Sequence, residues 1–160
     1  TLSALVASGL TSQTVGTLTQ DLSFTNALRA VQYLDDADAP QADRWWGISR
    51  GQKAGFMQLP QFVHADWAKI NGKVNEAAKE AFLGYWMGDP VFFSSNIDGS
   101  NAAGHNCVYM HKECMALIVQ MKPTSHTMFD LDYFAHKAAV EQLRGSAVMR
   151  ADHGVLVKAA

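Results

Sequence analysis

Hydrophobic positions between residues 24 and 34 recur at steps of three and four, a spacing typical of an amphipathic helix. Either Ser23 or Thr25 can cap the N-terminus of this helix. Pro40 keeps the residue before it out of helical geometry, so the helix ends at about residue 36.

Short aromatic and β-branched runs bounded by turn residues predict strands. These runs lie at residues 44–49, 91–94 and 107–109. Ser49 can cap a second helix over residues 50–59. The other stretches predict less regular structure: a strand or loop at 1–20, a loop and a short helix or insertion at 61–82, a bend at 84–90 and a loop at 95–104.

The last third of the chain mixes helical and extended signals. Residues 111–121 are apolar on almost every face and predict a buried helix. Residues 133–143 combine alanines that favour a helix with bulky side chains that suit a long strand. Residues 147–150 and 155–158 predict a terminal hairpin. The overall order predicts an α+β fold.

The composition indicates a chain that hides much apolar surface. Hydrophobic residues make up 48% of the 160 positions and charged residues 18%, a low charged fraction that hints at assembly. The net charge of −2 argues against a protein that grips phosphates with clustered cations. We expect a soluble, non-secreted chain, and because it begins at Thr1 we also expect an N-terminal portion to precede it.

Four side chains of zinc-ligand type lie close together in the sequence: His105, Cys107, His111 and Cys114. On a helix that begins at His111, two of them would share a face, and a preceding strand would bring the other two near. Against this, buried cysteines often serve packing alone, and structural zinc sites usually pair two separated ligand knuckles. We therefore expect no metal, cofactor or catalytic residue, and a small zinc enzyme stays an alternative.

Two tryptophans flanked by arginines suggest contacts with a partner. Such a cluster can stack a nucleic-acid base, so a nucleic-acid binding module is a second alternative. In a strand only one of two adjacent tryptophans faces the core, and the simplest use of the other is packing against another element or subunit. The candidate subunit-contact residues are Trp45, Trp46, Trp67, Trp86, Arg44 and Arg50.

Several short sequence motifs follow one another in a characteristic order along the chain. The stretch from Tyr33 to Trp45 contains Leu-Asp, then a proline turn, then an arginine that opens a strand. The other segments are Ile48–Gly51, Phe62–Asp66, Gly88–Asn96, the apolar run from His111 and Gly145–Val157. Their order and spacing resemble the major capsid proteins of tailed bacteriophages, over about residues 20–158.

The resemblance implies the Hong Kong 97 shell fold, also called the Johnson fold. Residues 1–44 would then be a peripheral-lobe segment with a spine helix at about 21–38. Residues 45–126 would form an axial lobe around a central sheet, and 127–160 would return to the peripheral lobe as terminal strands, with 133–143 extended. The N-terminal arm and extended loop of that fold would lie outside these residues.

The resemblance also implies a structural protein rather than an enzyme. Its partners would be copies of itself in pentamers and hexamers, packaged double-stranded DNA held non-specifically, and scaffold or decoration proteins. Its location would be the virion, after assembly in the host cytoplasm, with no membrane contact.

Overall fold

The helices and strands of the chain are given by a computed structural model. It describes residues 13–58, 82–97, 99–100 and 103–160. Its helices are α1 (Phe24–Asp36) and α2 (Lys53–Met57). Its strands are β1 (Thr14–Gly16), β2 (Arg44–Ser49), β3 (Phe82–Trp86), β4 (Asp89–Ser94), β5 (Gly99–Ser100), β6 (Gly104–His111), β7 (Met115–Asp130), β8 (Ala135–Val148) and β9 (Gly154–Ala159).

The described strands form one mixed sheet and one separate pair. The sheet has seven strands in the order β1-β9-β6-β2-β4-β3, with β5 paired to β6. β9 is parallel to β1 and antiparallel to β6, and β2 is parallel to β4. β7 and β8 pair with each other and make a two-stranded antiparallel unit, which we call the ribbon. The α+β prediction is confirmed.

Helix α1 follows the predicted pattern closely. The side-chain oxygen of Ser23 caps it by accepting a hydrogen bond from the backbone N–H of Asn26 at 3.2 Å. Ala27, Ala30 and Leu34 are fully buried, because residues three and four apart share a helix face. This face packs into the main core of the sheet.

The main core is built around Trp46. Its ring stacks on Tyr109 with centroids 4.3 Å apart and meets Trp86 edge-on at 5.3 Å and Phe56 at 5.5 Å. Aromatic pairs in these geometries add to the gain from burial. Since successive strand residues point to opposite faces, the neighbouring Trp45 packs against a second, smaller cluster on the other side of the sheet.

Arg44 fixes the turn that joins α1 to β2. Its buried guanidinium donates to Asp35 Oδ1 at 2.6 Å, to the Ala39 carbonyl at 2.6 Å and to the Pro40 carbonyl at 2.9 Å. One planar group with several donors thus satisfies three acceptors at once. The Leu-Asp, proline and arginine pattern of the sequence is therefore a hydrogen-bonded turn.

We predict that Arg44→Lys destabilises the fold by about 2 kcal/mol, because an ammonium group cannot reproduce the fork geometry of the guanidinium. Arg29→Lys, at an exposed position of α1, is the matched control and should stay within about 0.5 kcal/mol of the wild type. Urea unfolding followed by circular dichroism measures both. If the two variants were equally stable, the hydrogen bonds of the Arg44 guanidinium would not stabilise the turn as described.

The predicted buried helix at 111–121 is wrong. Residues Lys112–Cys114 form one 3-10 turn, and the chain then continues as β7. Hydrophobic pattern alone does not separate a helix that is apolar all round from a strand that is apolar on both faces. Pairing with β8 decides for the strand, and the extended prediction for 133–143 is confirmed over most of its length.

The predicted terminal hairpin is also wrong. β8 ends at Val148 in the ribbon, a 3-10 turn at Ala151–His153 follows, and β9 then enters the sheet between β1 and β6. The hydrophobic run at residues 155–158 belongs to β9 and pairs with β1 and β6 instead of with residues 147–150. Its partner strands lie far away in the sequence, so the local pattern did not indicate them.

Most of the predictions for short segments are confirmed. The strands predicted at 44–49, 91–94 and 107–109 are confirmed as β2, β4 and β6, and α2 lies within the predicted 50–59 helix. The bend predicted at 84–90 is a hairpin of β3 and β4, whose turn residues Met87 and Gly88 have φ of 52° and 94°. The predictions for 1–12 and 61–81 lie outside the described residues.

Candidate assembly surface

The ribbon is the most exposed part of the described structure. β7 has 16 residues and β8 has 14, and at about 3.4 Å per residue β7 extends about 50 Å. Pairing runs from Met115 opposite Val148 to Asp130 opposite Ala135, with an irregular register near Pro123. Within the described residues, neither outer edge of the ribbon pairs with another strand.

Most of the exposed large hydrophobic side chains of the described residues lie on the ribbon and its tip. Phe134 is 84% exposed, Tyr133 74% and Val140 71%. The others are Leu117, Ile118, Val119, Met128, Phe129, Leu131 and Leu143. A lone two-stranded unit is marginally stable in water, and contiguous exposed apolar surface marks an interaction site.

The cross-strand register divides the outer half of the ribbon into two different faces. Directly opposite residues of an antiparallel pair share a face. We call one the neutral face; it carries Ser125, Thr127, Phe129, His136, Ala138 and Val140. We call the other the charged face; it carries Thr124, His126, Met128, Asp130, Ala135, Lys137, Ala139 and Glu141.

Side-chain contacts distinguish the two faces further. On the charged face, His126 Nε2 lies 3.1 Å from Glu141 Oε1, and Lys137 forms an ion pair with Asp130. On the neutral face, the rings of Phe129 and His136 meet with centroids 5.2 Å apart. The neutral face can therefore be covered by another apolar surface without removing a lysine or a carboxylate from water.

A cleft of about 500 Å³ continues this surface to the base of the ribbon, where the ribbon meets the sheet. Trp45 and Met110 from the sheet and Leu117 and Arg144 from the ribbon contribute to its walls. Lys112 at its edge is bound to the carboxylate of Asp43. The cleft thus places apolar side chains of the sheet next to apolar side chains at the base of the ribbon.

Solved structures with the same fold include proteins of several phages. A Mycobacterium phage Che8 structure matches 98% of this chain and 56% of its own, with a TM-score of 0.73 and 15% identity. The capsid structure of the cyanophage P-SCSP1u matches 99% of this chain and 60% of its own, with a TM-score of 0.62 and 15% identity. The mature capsid of bacteriophage PhiM1 matches 89% of this chain and 51% of its own, with a TM-score of 0.60 and 15% identity.

The chain has the phage capsid fold. This confirms the Hong Kong 97 fold that the sequence resemblance predicts. The chain spans between half and two thirds of the length of these matched proteins. No family model and no curated protein matches the sequence. Among the described helices, none is long and apolar enough to cross a membrane.

Three of the predicted contact residues lie in the interior of the fold. Trp46 and Trp86 are fully buried in the main core, and Arg44 is 4% exposed at the α1 turn. Within one chain these side chains pack inside the fold, and their role in subunit contacts stays a prediction. A strand with one face in the core buries one tryptophan of an adjacent pair, and here it is Trp46.

Two other predicted contact residues stay accessible. Trp45 lines the cleft at the ribbon base, and the exposed Arg50 lies 5.9 Å from the ring centroid of Phe93. Their role in subunit contacts stays a prediction. Trp67 lies outside the described residues.

The four candidate zinc ligands do not meet in one place. His105, Cys107 and His111 all lie on β6, where six residue steps separate the two histidines by about 20 Å. Cys107 lies in the main core and Cys114 in the smaller cluster on the opposite side of the sheet. Burial raises the pKa of both thiols to about 11, so neither is a ready thiolate at neutral pH.

Tyr109 and Asp89 are further ionisable groups of the core, and their contact stabilises it. Tyr109 donates a hydrogen bond from its hydroxyl to Asp89 Oδ2 at 2.6 Å. Burial raises the pKa of both groups, which keeps the phenol protonated as a donor. The pair joins β6 to β4 beside Trp46.

Sequence reasoning missed the ribbon as the candidate surface. The signal that could have found it is a run of hydroxyl-bearing and bulky residues from Thr124 to Phe129, followed by a short segment with two aspartates and a second long segment. The helix predicted for 111–121 conflicted with this signal, because β7 begins at Met115, inside the predicted helix.

Proposed function

We propose that this chain is the C-terminal part of a major capsid subunit, a structural protein that assembles with copies of itself into pentamers and hexamers of an icosahedral shell around double-stranded DNA. The observation that carries the proposal is the ribbon, a long element whose large hydrophobic side chains are mostly exposed in the described part of a chain with the phage capsid fold. A structural role needs no catalytic residue and no cofactor.

Copies of the same chain suit the ribbon as partners better than a small ligand does. The ribbon offers a long, two-sided strip instead of an enclosed pocket, and most of its hydrophobic side chains are more than half exposed. A contact between such a strip and a different part of the next subunit is heterologous, and heterologous contacts close into rings when the rotation per subunit is fixed. Rings of five and six are the rings that a shell requires.

The charge of the chain fits a shell that encloses DNA without gripping it. A net charge of −2 provides no strong attraction for phosphates, so contact with the packaged genome would be weak and non-specific. Under this proposal the protein resides in the virion, assembles in the host cytoplasm, has scaffold or decoration proteins as further partners and contacts no membrane.

The division into lobes stays a prediction. It assigns residues 1–44 and 127–160 to a peripheral lobe and 45–126 to an axial lobe. In the described structure α1 and the sheet share one core, and the ribbon links the axial segment to the last segment.

Sedimentation velocity and electron microscopy of the gene product that carries this sequence test the proposed function. We expect closed particles with fivefold and sixfold clusters of subunits, and we expect particles from infected cells to protect double-stranded DNA from nuclease. A monomer at high concentration, with no closed particles in micrographs, would contradict the proposal.

A further inference from the structure

Two buried histidines meet where the sheet joins the ribbon. His111 ends β6 and His153 lies in the 3-10 turn before β9, and each is 2% exposed. In the β6 to β9 pairing Met110 lies opposite Gly154, so the next step of the register brings His111 beside His153. Their ring centroids are 5.8 Å apart, with the ring planes at 77°.

Glu113 completes a set of three side chains with metal-binding atoms. It lies in the 3-10 turn that follows His111 and is exposed to solvent. One imidazole nitrogen of each histidine and one carboxylate oxygen of Glu113 all lie within 4.8 Å of one another. Two histidines and one glutamate are a known protein ligand set for zinc centres that keep a fourth position open. The exposed carboxylate gives an ion access from solvent.

The hydrogen bonding of His153 supports a ligand at this place. Its Nδ1 atom is buried and has no hydrogen-bond partner among the described residues. A buried polar atom without a partner costs about 1 to 3 kcal/mol, so this atom needs an explanation. A metal ion on Nδ1 would supply the missing partner.

The other ring nitrogen of His153, Nε2, lies near one cationic donor and one carboxylate. Nε2 lies 3.3 Å from the Arg150 guanidinium, which donates to it when Nδ1 carries the ring proton. Nε2 also lies 3.9 Å from the carboxylate of Asp152. With a metal on Nδ1 the ring proton moves to Nε2, and the Arg150 guanidinium must then turn away, because two donors cannot face each other at 3.3 Å. A small movement of Asp152 would then bring its carboxylate within hydrogen-bond distance of Nε2.

We propose that His111, Glu113 and His153 bind a divalent transition metal ion, with zinc the best match to these ligands. Binding replaces the 3.3 Å hydrogen bond that the Glu113 backbone N–H donates to His111 Nδ1, because a metal on either ring nitrogen leaves Nδ1 without a free lone pair. The ion would clamp the turn after β6 to the turn before β9, both at the base of the ribbon. This site does not depend on the proposed capsid role.

Titration of the metal-free protein with zinc chloride, measured by calorimetry, tests the site. We expect one zinc ion per chain and a higher Tm with zinc bound. Because Glu113 is exposed, Glu113→Gln should fold normally, and we expect it to raise the Kd for zinc roughly tenfold or more. The matched control is His126→Gln, which removes an exposed histidine of the ribbon and should leave the Kd unchanged.

Cobalt(II) in place of zinc reports the ligands directly. We expect visible absorption typical of a tetrahedral site, without the near-ultraviolet charge-transfer band of a thiolate ligand, because Cys107 and Cys114 are not ligands. A titration without saturable binding overturns the proposal. So does a thiolate band, and so does a Glu113→Gln variant with the wild-type Kd.

Discussion

The Ala138→Glu variant is expected to stay unassembled under conditions in which the wild-type protein forms particles. Ala138 is exposed on the neutral face of the ribbon, opposite Thr127 and between Val140 and His136. If that face is covered by a neighbouring copy, a glutamate there loses its hydration without gaining a partner, at about 2 to 3 kcal/mol per contact. Such a loss raises the subunit concentration needed for assembly roughly 100-fold. Light scattering and sedimentation across a concentration series measure it.

Ala139→Glu is the matched control for this variant. Both positions are exposed alanines and the substitution is the same, but Ala139 lies on the charged face beside Lys137 and Glu141. We expect this variant to assemble within a few-fold of the wild-type concentration, and we expect both variants to unfold at the same urea concentration as the wild type. Normal assembly of Ala138→Glu would show that the neutral face stays uncovered in the particle.

The second large effect concerns the core. Trp46→Ala is expected to lower the free energy of unfolding by about 3 to 5 kcal/mol, because it empties the space between Tyr109, Trp86 and Phe56. That is a large part of the stability of a typical domain, about 5 to 15 kcal/mol, so the variant should unfold at a clearly lower urea concentration than the wild type. Urea unfolding of the unassembled subunit, followed by circular dichroism, measures the change.

The neighbouring tryptophan provides the control. Trp45 is only partly buried, on the opposite face of the sheet, and Trp45→Ala is expected to cost about 1 kcal/mol. If Trp45→Ala were the more damaging substitution, the account of which face of β2 lies in the main core would be wrong.

Local signals in the sequence predicted the local elements. The period of α1, its serine cap and the proline beyond its end act over a few residues, and they determine the helix. The arginine of the capsid-like motif is explained by the same turn, because its three acceptors lie within nine residues of it. The sequence pattern also required one tryptophan of the pair to face the core, although it did not say which.

Elements that depend on distant partners were not predictable in this way. The first part of β7 is apolar at successive positions, and only its pairing with β8 shows that it is a strand. β9 takes its place between β1 and β6 because of contacts across most of the chain. The same holds for the candidate metal site: the sequence draws attention to His105 and Cys107 near His111, whereas the β6 to β9 register brings His153, about forty residues away, beside His111.

A cryo-electron microscopy map of the assembled particle, at a resolution that shows side chains, tests the central claim most directly. The claim is that the neutral face of the ribbon is an interface between copies of this chain. We predict density of a neighbouring copy against Phe129, Ala138 and Val140, with the charged face nearer to solvent. A particle in which the neutral face borders solvent, or in which copies meet only through other surfaces, would contradict it.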